Sequence, residues 1–76
     1  MELLRLFRKT ENGAIKGEIK LDNGNHVEVG LLDKFVNDGS EYLVTSLELD
    51  INSEFERVIF NNIETQKPES VIRWIN

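Results

Sequence analysis

Ile15-Lys16-Gly17-Glu18-Ile19-Lys20-Leu21, then Asp22-Asn23-Gly24, then Asn25-His26-Val27-Glu28-Val29-Gly30-Leu31 is the stretch that decides the fold class. Ile15, Gly17, Ile19 and Leu21 alternate with Lys16, Glu18 and Lys20, the period-two pattern of a half-buried strand. Val27, Val29 and Leu31 alternate with His26, Glu28 and Gly30 in the same way. Asp22-Asn23-Gly24 between them is a hairpin signal. Parity chooses the turn. A two-residue Asn23-Gly24 turn pairs Leu21 with His26 and Ile19 with Glu28, which mixes the two faces. A three-residue loop with Gly24 left-handed pairs Ile19 with Val27 and Gly17 with Val29, so the apolar faces coincide.

Strand signals extend to both sides. Leu3 to Lys9 reads as a strand closed by the turn Glu11-Asn12-Gly13. Asn37-Asp38-Gly39 marks a second turn, followed by the run Tyr42 to Ile51. There Leu43, Thr45, Leu47, Leu49 and Ile51 share one face, and Tyr42, Val44, Ser46 and Glu48 the other. Leu31 to Val36 fits one helical turn as well as a strand. Phe55 to Phe60 is a further strand, with a bend expected at Asn61-Asn62. Pro68 excludes a central strand at its own position. Val71 to Ile75 reads as a short closing strand, a terminal helix from Pro68 being the alternative. Five or six short strands without a long helix predict one all-β domain over residues 1–76, a small, partly closed SH3-like or Sm-like barrel.

Size and composition narrow the class. A chain of 76 residues buries only about 60% of its unfolded surface, so disulfides, a metal, a partner or a closed sheet must support it. There is no cysteine, and His26 is the sole histidine. Disulfides, thiolate metal sites and a cysteine nucleophile are thereby excluded. Hydrophobic residues at 39% and charged residues at 30% suit a folded domain rather than a disordered one. Leu3-Leu4-Arg5-Leu6-Phe7 is too short and too interrupted for a membrane span or a signal peptide, so the expected location is the cytoplasm. The single alanine, Ala14, against abundant Asn, Ile, Glu and Lys suggests an AT-rich bacterial or phage genome.

Charge is divided along the chain. From Met1 to Lys20 five bases and three acids give +2, whereas from Leu21 to Ser70 eleven acids and the bases Lys34, Arg57 and Lys67 give −8. With Arg73 the net charge is −5. Such a surface repels phosphate backbones, which argues against nonspecific nucleic-acid binding by the whole molecule.

From Val27 to Ile63 the order of features resembles the WYL domain, an Sm-like barrel of bacterial regulators. The resemblance rests on the valine-led strand Val27-Glu28-Val29, the Asp38-Gly39 turn, Glu41-Tyr42-Leu43-Val44 in the place of Trp-Tyr-Leu, and an apolar strand ending in Asn62-Ile63. It implies a barrel and a nucleotide- or oligonucleotide-sensing role. Glu41 stands where the family has tryptophan, and its ligand-contacting basic residues are replaced by neutral ones such as Ile59 and Asn62, with Arg57 nearby.

The chain shows no catalytic motif. Asp50, Asn52, Glu54 and Glu56 alternate like the start of an EF-hand loop, but Phe55 holds the required glycine position and Asn61 that of the closing glutamate. A solvated hairpin tip is the better reading. His26 has no accompanying nucleophile and acid, and no glycine-rich phosphate signature is present. No cofactor and no metal are expected.

Tyr42 and Trp74 each fall on the face opposite the expected core residues of their strands, where an aromatic serves as a contact anchor. Completing a second core layer is the alternative. Arg73 beside Trp74 either clamps an acidic partner or pairs with a local glutamate. The expected function is a non-enzymatic binding module acting through protein contacts, self-association included, with Tyr42, Trp74 and Arg73 as anchors. Asp50, Glu54 and Glu56 are expected to steer a basic partner. The alternatives are an acidic phage- or mobile-element-type inhibitor covering a basic site on a host protein, and a WYL-like sensor.

Overall fold

The computed structural model describes residues 1–49, 52 and 54–75. Among these residues seven strands follow one another: β1 (Glu2–Arg8), β2 (Ile15–Lys20), β3 (His26–Val29), β4 (Lys34–Asn37), β5 (Ser40–Glu48), β6 (Phe55–Asn62) and β7 (Pro68–Trp74). They form two antiparallel sheets, β1-β2-β3 and β4-β5-β6-β7, and no helix is found among the described residues. β1 lies beside β7 and β3 beside β4, although neither pair shares a ladder.

The first hairpin has the register expected from parity: Gly17 faces Val29, Ile19 faces Val27 and Lys20 faces His26. Leu21 N–H donates to the Asn25 carbonyl at 2.7 Å, and Gly24 N–H to the Leu21 carbonyl at 2.9 Å. Gly24 has φ +90°. The second turn is tighter. Asp38 and Gly39 have φ +50° and +80° between the paired residues Asn37 and Ser40, as a two-residue type I′ turn requires.

Three expectations about elements are corrected. The strand count is seven rather than five or six, because Lys34–Asn37 forms its own strand, with Phe35 and Asn37 inward and Lys34 and Val36 outward. Leu31 and Leu32 stand outside it in an exposed turn. No bend breaks β6 at Asn61-Asn62; both residues stay in the ladder, opposite Leu43 and Tyr42. The closing strand begins at Pro68 and is longer than expected. As the first residue of the strand that ends the sheet, Pro68 forfeits no needed donor.

The larger correction concerns β5. Val44 faces Phe60 but Ser46 faces Ile59, so Thr45 is an extra residue, a β-bulge. Before the bulge the inward residues are Tyr42 and Val44; after it Leu47, opposite Val58, packs on the core. Leu43, expected inside, points outward with Lys34 and Asn61. β1 repeats the device at Leu4, where the register shifts between Leu3 and Arg5, so that Leu3 and Leu6 both face inward.

The core lies between the sheets. Leu3, Leu6, Ile19 and Val29 come from the first, and Phe35, Tyr42, Val44, Val58, Phe60 and Val71 from the second. Gly17 is closely packed: a Cβ there would lie 3.0 Å from Leu6 Cδ2 in its own sheet and 3.2 Å from Val58 Cγ2 in the other. A side chain there would have to displace the Leu6 and Val58 methyl groups by a few tenths of an ångström.

A Cβ at Gly24 would meet nothing within 4 Å, so its requirement for glycine is one of backbone conformation alone. Gly24→Val should therefore lower stability by about 1–2 kcal/mol, the cost of a left-handed L residue. Chemical denaturation measures this, and an unchanged midpoint would refute the left-handed loop.

Candidate functional site

The aromatic and charged residues singled out from sequence separate into interior and surface. Tyr42 belongs to the interior. It is only 7% exposed and sits with Phe35 and Phe60, stacked on Phe35 at a centroid distance of 5.4 Å and edge-to-face with Phe60 at 5.1 Å. The expectation that Tyr42 is a surface anchor is overturned, and the Thr45 bulge is the reason: without it Leu43, not Tyr42, would share the inner face with Leu47.

Glu56 also moves inside. Expected on a solvated hairpin tip as a steering charge, it is 6% exposed on the inner face of β6. Its Oε2 accepts from Leu6 N–H at 2.8 Å, and its Oε1 accepts from Arg73 Nη1 at 2.8 Å. Arg73 stands opposite Glu56 in the β6–β7 ladder, so its charge is spent on this pair. Glu54 is exposed. Asp50, the third residue of the expected acidic set, lies outside the described residues.

Trp74 is at the surface, 66% exposed at the end of β7. It stands opposite Phe55, and the two rings meet edge-to-face at 5.6 Å. The same outer face carries Ile72 opposite Arg57 and Ile59 opposite Ser70. Arg57 lies 5.5 Å over the Phe55 ring and donates to Glu48 Oε2 from Nε at 2.9 Å and approaches it from Nη2 at 2.7 Å. The result is an apolar strip of Trp74, Phe55, Ile72 and Ile59 with its adjoining cation already paired. Sequence reasoning found Trp74 but missed Phe55 and Ile72. Phe55 alternates with Val58 and Phe60, and Ile72 with Val71, which was the available signal.

The outer face of the first sheet around Glu18 and Phe7 is a set of paired charges. On the outside of the first sheet Glu18 accepts from Arg5 Nε at 3.0 Å and lies 3.2 Å from His26 Nδ1. Lys9 Nζ pairs with Glu28 at 2.9 Å, and Arg5 lies 4.3 Å over the Phe7 ring. Arg5, Lys9 and His26 each face a carboxylate, so little positive field is left beside Glu18 and Glu28 for a phosphate. Arg5 foremost, and then His26, hold the Glu18 carboxyl below its ordinary value. Asp22 is held low likewise, chiefly by the Met1 amino group at 2.6 Å and next by Asn37.

No group of three or more potential ligands able to hold a metal ion occurs among the described residues. Nor is any helix of those residues long and apolar enough to cross a membrane. No family model, curated protein or solved structure matches the chain.

Removing the Glu56 carboxylate strands the Leu6 N–H. Glu56→Ala should lower stability by about 1–3 kcal/mol, the range for an orphaned buried donor, while Glu54→Gln leaves the unfolding midpoint unchanged. Equal effects of the two substitutions in urea denaturation would contradict the separation of roles. Glu18 and Asp22 make a prediction in pH. Both carboxyls are depressed in the folded state, so their contribution is complete above the ordinary carboxylate range and is lost as pH falls through the lowered folded values. A carboxyl NMR titration should find both titrating below the chain's exposed carboxylates, and midpoints inside the ordinary range would refute the pairing.

Proposed function

We propose that this chain is a non-enzymatic binding module of the cytoplasm that works through protein contacts, with Trp74 as its principal anchor. One observation carries the reading: the only tryptophan of the chain is two-thirds exposed, yet held in orientation by the edge of Phe55. A large aromatic ordered before binding forfeits little entropy when a partner covers it, which is what a contact anchor requires. Ile72 and Ile59 extend the apolar centre on the same face. The paired Arg57 and Glu48 supply a polar margin.

The supporting architecture is read as a small, partly closed barrel of the SH3-like or Sm-like kind. The adjacency of β1 to β7 and of β3 to β4 supports that reading, because it brings both ends of one sheet to the ends of the other. The expected partner is a protein with basic surface. Glu41, Glu54, Glu64 and Glu69 are exposed and enter no ion pair among the described residues, leaving their field to attract such a surface. The same acidity favours the second reading, in which the basic site belongs to a host nucleic-acid-binding protein and the module blocks it.

The experiment begins with affinity capture from the native host using the wild-type protein, and continues with binding kinetics on the purified partner. Trp74→Ala should cost no more than about 1 kcal/mol of stability but speed dissociation by roughly 30-fold, the signature of a hot spot worth about 2 kcal/mol. Val36→Ala, also exposed but on β4, serves as control. A folded Trp74→Ala variant that dissociates at the wild-type rate would overturn the assignment of the anchor.

A further inference from the structure

Away from the Trp74 face, the loop joining β1 to β2 and the turn after β3 enclose a groove of about 480 Å³. Ala14, Ile15, Leu31 and Leu47 line it with apolar surface, and Arg8 and Lys16 are its cations. We infer that this groove is a binding site for a medium-chain aliphatic carboxylate, with the chain on the four apolar residues and the carboxylate at Arg8 and Lys16.

The volume lies within the range of small-ligand sites. Charge sets the sign of the ligand. In a molecule of net charge −5, the groove lining holds two cations and no carboxylate. Arg8 Nη1 donates to the Gly13 carbonyl at 2.8 Å, which fixes the guanidinium, and no carboxylate pairs with it among the described residues. Lys16 Nζ forms a long ion pair with Asp33 Oδ2 at 3.6 Å, and Asp33 Oδ2 also accepts from Gly30 N–H at 2.7 Å, so a ligand carboxylate shares Lys16 with Asp33. A ligand carboxylate therefore gains two cationic donors whose existing engagements are weak or directed elsewhere.

Backbone accounting sets the body of the ligand. Gly13 N–H donates to the Lys9 carbonyl, Ala14 N–H to Asn12 Oδ1, and Gly30 N–H to Asp33 Oδ2. These three main-chain donors of the lining are spent within the protein and are not offered to the peptide groups of an extended segment, which need such partners when buried. An aliphatic chain needs none. Leu31 and Leu32 are 58% and 68% exposed, and Leu32 has φ +67°, a conformation L residues rarely adopt. This strained turn holds Leu31 at the groove and adds apolar surface that the core does not use.

Octanoate, kept below its micelle-forming concentration, is the probe. Titrated into methyl-labelled full-length protein, it should give saturable NMR shifts at Ala14, Ile15, Leu31 and Leu47, while octanol and octylammonium bind at least about tenfold more weakly. Arg8→Gln combined with Lys16→Gln should weaken octanoate by about tenfold or more, and Leu31→Glu should abolish its binding. Undisturbed methyl signals from buried Val44 and Val58 establish that each variant is folded. The inference is overturned by shifts that do not saturate or lie elsewhere, by octylammonium binding as well as octanoate, or by a folded double variant that retains wild-type affinity.

Discussion

The Glu56 carboxylate holds three strands at one point. It rises from β6, receives the Leu6 N–H from β1 and pairs with Arg73 on β7. β1 and β7 lie beside each other without a ladder, so a side chain makes the connection that backbone groups elsewhere make for themselves. A buried amide without a partner costs as much as a lost hydrogen bond or more. In a chain of 76 residues with no disulfide, that loss is a sizeable fraction of the total stability. The other junction between the sheets is made in the same manner. Asp22 N–H donates to Asn37 Oδ1 at 2.8 Å, and Asn37 Nδ2 donates back to Asp22 Oδ2 at 2.9 Å. Asn37 is buried as Glu56 is, and neither leaves a polar atom unsatisfied.

Two bulges prepare the strands for this arrangement. In an unbroken strand every second residue faces the core, so Leu3 and Leu6 could not both be inside, nor could Val44 and Leu47. One extra residue at Leu4 and one at Thr45 reverse the parity midway. Each strand then supplies inward residues to both halves of the core. Leu6 and Val58 occupy the space that a side chain at Gly17 would fill, so the glycine lets both pack over β2.

The surface left by this packing is uneven in character. The outer face of the first sheet is a set of mutually neutralised charges around Phe7, whereas that of the second carries Trp74, Phe55 and Ile72 exposed or half-buried. Apolar area without an internal partner is where association gains most from excluding water. The acidic excess of the chain accordingly does not describe either face well. The cations are largely held in ion pairs, and one glutamate that looked solvated is structural.

What could be read from the sequence is what local geometry dictates. The first hairpin, its three-residue loop and its register follow from side-chain parity and one glycine, both contained within fifteen residues. The Asp38-Gly39 turn, the exclusion of Pro68 from a central strand and the all-β class are legible for the same reason, whereas parity left Trp74 open between the surface and a second core layer. The inner face of β5 and the place of Glu56 are not. A bulge has no local signature at Leu4 or Thr45; it exists because β2 and β6 pair with those strands in a particular register. Tyr42 therefore faces the core only because Thr45 is displaced, and Glu56 is internal only because β1, fifty residues earlier, brings an unpaired N–H to it. Short-range pattern determined most of the strands, β4 excepted, and how the first two hairpins turn. The tertiary structure alone decided which aromatic and which carboxylate the core would keep, because those depend on contacts between residues far apart in the chain.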